Sequence, residues 1–260
     1  MAAHASVWPP SSAARRLTCP GSYWAELGKP DTASAAAMEG SAAHELAAEA
    51  LQSRVSCLSL VGKVYPEYKA YPVTSVMAGY VQQYVTAMRR KARRSSIPVM
   101  VETRVSLHPY ARHQFGTADC ITLDGKVLHV DDLKYGTGVK VGAVNNEQAL
   151  CYALGAYSLL RDKYKIEAVR VGIHQPRLNW FPHWECSLGE LMEFGEEVRE
   201  GFLNLFAFDP ERVPSRKGCT FCKARATCPE HREWLDRGGT ISNSPQYKQR
   251  STEELLADFM

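Results

Sequence analysis

Hydrophobic positions recur with a helical period in four parts of the chain. Residues 36–54, 75–94, 145–160 and 188–206 each place apolar side chains along one face of a helix. Between the second and third segments the period changes to alternation, with Val99, Val101, Val105 and Leu107 separated by other residues. The pattern predicts four long helices, with strands between and after them.

Two further apolar runs, QFGTADCITL at 114–123 and KVLHVDDLK at 126–134, are separated by the dipeptide Asp124-Gly125. This dipeptide is typical of a two-residue hairpin loop. Residues 168–174 resemble a fourth strand, and 180–186 a fifth. The sequence therefore predicts an α/β fold in which a small mixed sheet is flanked by helices.

The predicted hairpin brings two acids together. A loop made of the two residues of the dipeptide would set Asp119 opposite Val130. Because side chains alternate between faces, Asp119, Asp132 and Lys134 would then share one face, with the two acids as diagonal neighbours about 7–8 Å apart. Asp131 would project from the other face, so we expect Asp131→Ala to keep most of any activity.

Two carboxylates on one face suit a divalent cation, because Mg²⁺ and Mn²⁺ prefer hard oxygen ligands. Lys134, one step further along the same face, is placed to reach a substrate oxygen or to orient a water molecule. The alternative is that these are ordinary polar residues at the rim of a sheet.

Four motifs, in this order along residues 11–230, carry a family resemblance: RLTCPGSYW with CTFCKARATC, GSAAHELAAEAL, GTAD with VDDLKYG, and EQALCYALGAY. Together they resemble the PD-(D/E)XK nuclease superfamily. Within it they are similar to the RecB-like branch that includes CRISPR-associated exonucleases, AddB-type helicase-nucleases and phage-encoded relatives. The expected fold is the nuclease core of that superfamily, with N- and C-terminal segments joined by a cysteine-bound cluster.

The resemblance implies a role for each matching residue. The implied metal ligands are His44, Asp119, Asp132 and the backbone carbonyl of Leu133. Lys134 would activate or position the attacking water, and Gln148 and Tyr152 would contact DNA. Asp132 stands where glutamate is commoner. A histidine ligand favours Mn²⁺ over Mg²⁺, since imidazole is softer than carboxylate.

Cysteines fall into two groups. Cys219, Cys222 and Cys228 are closely spaced, which is typical of metal binding, and Cys19 is available as a fourth ligand. Zinc usually takes two short-spaced pairs, whereas a [4Fe–4S] cluster accepts one distant ligand, so we expect iron–sulfur with structural zinc as the alternative. The remaining four are expected to be buried and unliganded: Cys57, Cys120, Cys151 and Cys186.

The net charge is only +3, so DNA binding would need a local basic patch. The strongest one follows the second helix and contains Arg89, Arg90, Lys91, Arg93 and Arg94. Such runs are also common as solvated helix ends. Together with the resemblance, this predicts a metal-dependent exonuclease on single-stranded or end-exposed DNA in recombination, repair or phage replication. The alternative is a non-cutting nuclease-fold module that recruits recombination or replication proteins.

No run of eighteen apolar residues and no signal-peptide pattern occurs. We expect no membrane contact and a cytoplasmic location, in a bacterium or a phage-infected cell. The expected organisation is an N-terminal segment at 1–35, a nuclease core at 36–210, a cysteine segment at 211–236 and a flexible tail at 237–260. The sequence GTGVKVG lacks the ending of a nucleotide-binding P-loop, which disfavours an ATPase.

Overall fold

A five-stranded mixed sheet lies at the centre of the computed structural model, which describes residues 6–30 and 33–240. The strands neighbour one another in chain order, and β3 runs parallel to β4 while the other neighbours are antiparallel. Their bounds are β1 Met100–Ser106, β2 Phe115–Asp124, β3 Val127–Leu133, β4 Ala168–His174 and β5 His183–Ser187.

Helices flank this sheet on both faces. The bounds are α1 Ala13–Thr18, α2 Ser22–Glu26, α3 Ala35–Ser53, α4 Ser75–Ala92, α5 Glu147–Leu160, α6 Leu188–Asn204, α7 Arg216–Cys219 and α8 Pro229–Asp236. Each long helix begins at a polar cap whose side chain accepts a backbone N–H of the first turn, at Ser34, Thr74, Asn146 and Ser187.

The four predicted long helices and the five strands are confirmed, with different ends. The predicted helix over 75–94 ends at Ala92, and the predicted fifth strand over 180–186 begins later, at His183. Helix α1 lies in the N-terminal segment at 1–35 and was not predicted, because six residues are too few to show a helical period. Most of the expected flexible tail at 237–260 lies outside the described residues, which end at residue 240.

The sheet is buried on both faces. Helices α5 and α6 cover one face, the α5 face, where Ile121, Leu128 and Val130 contribute to the core. Helices α3 and α4 cover the other, the α4 face, where Cys120 and Leu133 are fully buried. Burial on both faces explains why 127–133 is an almost continuous apolar run interrupted by acids.

The register of the β2–β3 hairpin differs from the predicted one. Asp124 pairs with Val127, so the two loop residues are Gly125 and Lys126, and Gly125 has a φ of 59°. Val130 lies opposite Ile121, and the predicted pairing of Val130 with Asp119 is wrong. The glycine takes the first loop position because that position requires a positive φ.

The error amounts to two residues, which leaves the paired residues of 120–124 and 127–131 on their predicted faces. Cys120 pairs with Asp131, and the same register continued by one position sets Asp119 directly opposite Asp132. The two acids are therefore directly opposed across the hairpin and not diagonal. Opposed side chains are the closest cross-strand neighbours, so the correction brings the carboxylates nearer together.

The two ends of the chain pack against each other. Gly21 N–H donates to the Glu211 carbonyl at 2.8 Å, and Lys223 N–H donates to the Glu26 carboxylate at 2.8 Å. Val213 N–H donates to Cys19 Sγ at 3.3 Å. These hydrogen bonds hold the cysteine segment against the N-terminal helices. None of the described helices combines the length and apolar character needed to cross a membrane.

Candidate metal centre

Asp119 is held in place by the neighbouring strand. Its Oδ2 accepts the backbone N–H of Leu133 at 2.7 Å, and both residues are buried. This hydrogen bond fixes the carboxylate where β3 ends, which is also the carboxyl end of the parallel pair β3–β4. Ligands bind at that end of parallel strands in open α/β sheets.

A histidine and a second acid converge on Asp119. His44, from α3, places Nδ1 3.4 Å from Asp119 Oδ2 and 4.0 Å from Glu102 Oε1. The ligand atoms of His44, Glu102 and Asp119 all lie within 4.8 Å of one another. Atoms bound to one ion at about 2.1 Å are separated by at most about 4.2 Å, so only small side-chain adjustments are needed for joint coordination.

Glu102 was not predicted from the sequence. It lies on β1 between the pairs Val101–Cys120 and Thr103–Ala118, which sets it opposite Asp119. Its φ of 47° is in the left-handed region, which non-glycine residues rarely adopt and which is often found at functional sites. The sequence signal available for Glu102 was its position as an acidic residue within the alternating run 99–107. Its partner could not be identified because the loop between β1 and β2 sets the register.

Asp132 belongs to an adjacent hydrogen-bonded chain. Lys134 Nζ lies 2.9 Å from Asp132 Oδ2 and donates to Gln148 Oε1 at 2.9 Å. Gln148 Nε2 in turn donates to the Tyr152 hydroxyl at 3.1 Å. The structure thus brings together all the predicted residues of the hairpin and α5. It pairs Asp132 with lysine, whereas the close triad consists of His44, Glu102 and Asp119.

Helix α5 supplies two members of this hydrogen-bonded chain. Residues from both ends of the protein hold the N-terminal half of α5. Pro10 and Tyr152 pack on Gly116, where an added Cβ would lie 2.5 Å from Pro10 Cγ and 2.7 Å from Tyr152 Cε1. Only glycine allows that approach. Lys217, from α7, pairs with Glu147 next to Gln148 at 2.5 Å. The N-terminal segment and the cysteine segment therefore both support the helix that presents Gln148.

Electrostatics at the site are those of crowded acids. Burial is the largest single effect and lowers the pKa of His44, but the charge and hydrogen bond of Asp119 and the charge of Asp132 together raise that pKa to about 9. Burial and the charge of Asp119 raise the pKa of Glu102 to about 7. Burial also raises the pKa of Asp132, against the opposing charge of Lys134. A divalent cation would neutralise this excess negative charge, and carboxylate oxygens with one imidazole suit Mn²⁺ or Mg²⁺.

Asp131 is on the opposite face, as predicted, but it is not a bystander. It is 1% exposed, and its carboxylate lies 2.7 Å from Lys91 Nζ and 2.8 Å from His174 Nε2. Burial would raise the pKa of Asp131, yet His174 and Lys91 hold it below its usual value. Gly172 on β4 leaves room for this group, since a Cβ there would overlap Asp131 Oδ1. We call Lys91, Asp131 and His174 the buried ion triad.

The predicted basic patch is divided by the structure. Lys91 belongs to the buried ion triad, and Arg89 donates to the carbonyls of Ala50 and Val55 at 3.0 and 2.6 Å. Its exposed members are Arg90, Arg93 and Arg94. Arg94 pairs with Asp124 at the hairpin loop, so Arg94 lies at the far end of β2 from Asp119.

The four cysteines of the predicted cluster line one cavity. Cys19, Cys219, Cys222 and Cys228 surround it together with Arg15 and Arg225. Their sulfur atoms are not close together: in the described ranges, no three cysteine sulfurs lie within 4.8 Å of one another. The other four cysteines, Cys57, Cys120, Cys151 and Cys186, are buried, as expected.

Comparison with known proteins gives a family and a distant structural similarity. Residues 4–258 match the family described as "Protein of unknown function (DUF2800)". The chain is also similar to a solved structure titled "Crystal structure of SSO0001", at 13% sequence identity and a TM-score of 0.36. That similarity covers 84% of this chain and 85% of the other.

Proposed function

Since the chain belongs to the DUF2800 family, whose description names no activity, we propose from the geometry of the site that it is a metal-dependent nuclease acting on DNA. The observation that carries this proposal is the convergence of His44, Glu102 and Asp119 beside the Asp132–Lys134 pair. The resemblance of the motifs to RecB-like PD-(D/E)XK nucleases supports the same reaction. It also favours single-stranded DNA or DNA ends as substrate, in recombination, repair or phage replication.

His44, Glu102 and Asp119 would hold the Mn²⁺ or Mg²⁺ ion, and the resemblance adds Asp132 and the Leu133 carbonyl to the ligands. The ion would polarise the phosphoryl group and lower the pKa of a water molecule. Lys134 Nζ is held between Asp132 and Gln148, with about a quarter of its side chain exposed. Its remaining N–H can donate to a non-bridging phosphate oxygen and stabilise the charge that develops there.

Hydrolysis by the full chain tests the proposal. Purified protein should degrade labelled single-stranded and linear duplex DNA with Mn²⁺ or Mg²⁺, and not with EDTA. Glu102→Gln and Asp132→Asn should each abolish degradation. Asp124→Asn is the matched control, because it changes an acid of the same hairpin that pairs only at the surface. DNA bound but never cut, at every metal tested, would replace the nuclease by a recruitment module.

We further propose that Cys19, Cys219, Cys222 and Cys228 bind a [4Fe–4S] cluster. Their shared cavity supports a common ligand. Zinc usually takes two short-spaced pairs of cysteines, whereas one close set with one distant cysteine suits a [4Fe–4S] cluster. Its role would be structural, since it would close a loop across almost the whole chain.

Metal analysis distinguishes a [4Fe–4S] cluster from a zinc ion. Protein prepared anaerobically with sufficient iron should be brown and contain about four iron and four sulfide per chain. Cys19→Ser should lose them, whereas Cys186→Ala, a buried cysteine outside the cavity, should keep them. One zinc per chain without sulfide would replace the cluster by zinc. Full iron content in Cys19→Ser would remove the N-terminal ligand.

A further inference from the structure

Trp180 lies on the Lys134 side of the candidate site, in the loop that follows β4. Lys134 N–H donates to the His174 carbonyl at 2.8 Å, and the next residue, Gln175, exchanges two backbone hydrogen bonds with Trp180, at 2.9 and 3.2 Å. Neighbouring strands are separated by about 4.8 Å. The backbone of Trp180 therefore lies two strand spacings, about 10 Å, from that of Lys134.

Trp180 is also on the same face as Asp132. Asp132 pairs with Ile173 on β4, so both project from the α5 face. Gln175, two residues later, returns to that face, and Trp180 lies opposite Gln175. The indole ring and the Lys134 ammonium thus flank the site from one side of the sheet.

The ring is held in a fixed orientation. Trp180 Nε1 donates to the Val141 carbonyl at 2.8 Å. The side chain of Gln175 also binds the loop between β3 and α5, which carries Val141. It accepts Val141 N–H at 2.6 Å and donates to the Val139 carbonyl at 2.9 Å. Lys140, on this loop and exposed, places its ammonium 4.8 Å from the centre of the Trp180 ring.

We propose that Trp180 and Lys140 form a subsite for one unpaired nucleotide of a single-stranded DNA substrate. The base stacks on the indole ring, and Lys140 moves from the ring to the adjacent phosphate. At about 3.4 Å per stacked nucleotide, the subsite is about three nucleotides from a phosphate bound at Lys134. The subsite rests on the proposed nuclease function and assigns it a strand preference.

Two physical reasons favour a single strand as the occupant. A flat ring with a cation on its face is the combination that binds unpaired bases, whereas bases within a duplex are already stacked on both sides. The metal centre itself is rich in acids, which repel phosphates, so a strand entering it needs cations on the rim. Lys140 and Lys134 are such cations.

The test is binding of a short labelled oligothymidine and of a blunt hairpin duplex to the full chain in EDTA, where neither is cut. Trp180→Ala should weaken oligothymidine binding about tenfold and leave the duplex unchanged. Trp180→Phe keeps a flat ring and loses the Nε1 hydrogen bond, and it should bind within about twofold of wild type. Lys140→Met should weaken binding and reduce the salt dependence by about 0.7 in slope, one phosphate contact.

Trp24→Ala is the matched control. Trp24 is also partly exposed and also donates Nε1 to a backbone carbonyl, that of Leu205 at 2.6 Å, but it lies on α2. If Trp180→Phe binds as weakly as Trp180→Ala, the indole only anchors the loop and the subsite is refuted. Equal losses for oligothymidine and duplex would also refute it, because the preference is for unpaired bases.

The result also separates the two proposals. Metal-dependent cutting by wild type with unchanged oligothymidine binding in Trp180→Ala and Lys140→Met overturns the subsite and keeps the nuclease. Binding that depends on Trp180 in a protein that cuts no DNA keeps the subsite and overturns the nuclease. Thermal unfolding of each variant shows whether a loss of binding reflects a loss of folding. If Trp180→Ala does not fold, the binding of Lys140→Met tests the subsite in its place.

Discussion

Asp119 Oδ2 accepts the backbone N–H of Leu133 at 2.7 Å, so the carboxylate that faces the candidate metal centre also completes the hydrogen bonding of β3. The two residues come from opposite strands of one hairpin, and Leu133 is fully buried. Asp119 therefore has a structural role that is separable from metal binding.

Substitutions of Asp119 should separate these two roles. Asp119→Ala leaves the buried Leu133 N–H without an acceptor and should lower the free energy of unfolding by about 1–3 kcal/mol. Asp119→Asn keeps an acceptor oxygen and should unfold close to wild type. Both should lose metal-dependent DNA cleavage. Urea unfolding in EDTA measures the stability of each variant, and cleavage assays measure its activity. Equal stability of the two variants would show that the hydrogen bond contributes nothing.

Asp131→Ala should be destabilised, by about 3 kcal/mol, because Lys91 and His174 would lose the anion between them. The sequence alone predicts that this variant keeps most activity, and the structure adds that it must first fold. Activity should therefore be compared at a low temperature, where the folded fraction of both proteins is high. Lys91→Met should be destabilised as well, whereas Arg93→Met, an exposed neighbour, should not. An Asp131→Ala protein as stable as wild type would contradict the buried ion triad.

Metal binding should release protons. His44, with a pKa of about 9 when no ion is bound, is mostly protonated at pH 8 and can coordinate only as the neutral ring. We therefore expect release of about one proton per Mn²⁺ bound at pH 8. Glu102, with a pKa of about 7, adds a second proton at pH 6, so the affinity should fall as the pH falls.

Calorimetric titration with MnCl₂ in two buffers of different ionisation enthalpy measures this release. His44→Gln should release little at pH 8, and Glu102→Gln should lose the additional proton at pH 6. Binding heats that do not depend on the buffer at either pH would show that His44 and Glu102 are not ligands of the ion.

Arg94 should act only on long DNA. Asp124, beside Arg94, is five steps along β2 from Asp119, which corresponds to about 17 Å along the strand. About five stacked nucleotides are needed to span that distance. Arg94→Ala should weaken the binding of long single strands and leave shorter ones unchanged. Fluorescence anisotropy over a length series measures this, and an equal loss at every length would place Arg94 at the site itself.

The sequence by itself determined the elements and the faces. Helical periods predict α3 to α6, and the Asp-Gly turn predicts the β2–β3 hairpin, because these signals arise from neighbouring residues. Asp119, Asp132 and Lys134 were assigned to one face although the register was wrong by two residues. The assignment survived because side chains repeat every two residues along a strand.

Only the tertiary structure decided which groups meet across elements. Glu102 joins His44 and Asp119 because β1 pairs with β2 in one register, which the sequence of β1 does not specify. Lys91 turns inward to Asp131, while its neighbours in the same basic run stay exposed, because α4 packs that side of the helix on the sheet. Charge and spacing are local properties, whereas the partner of a buried charge depends on which surfaces pack together.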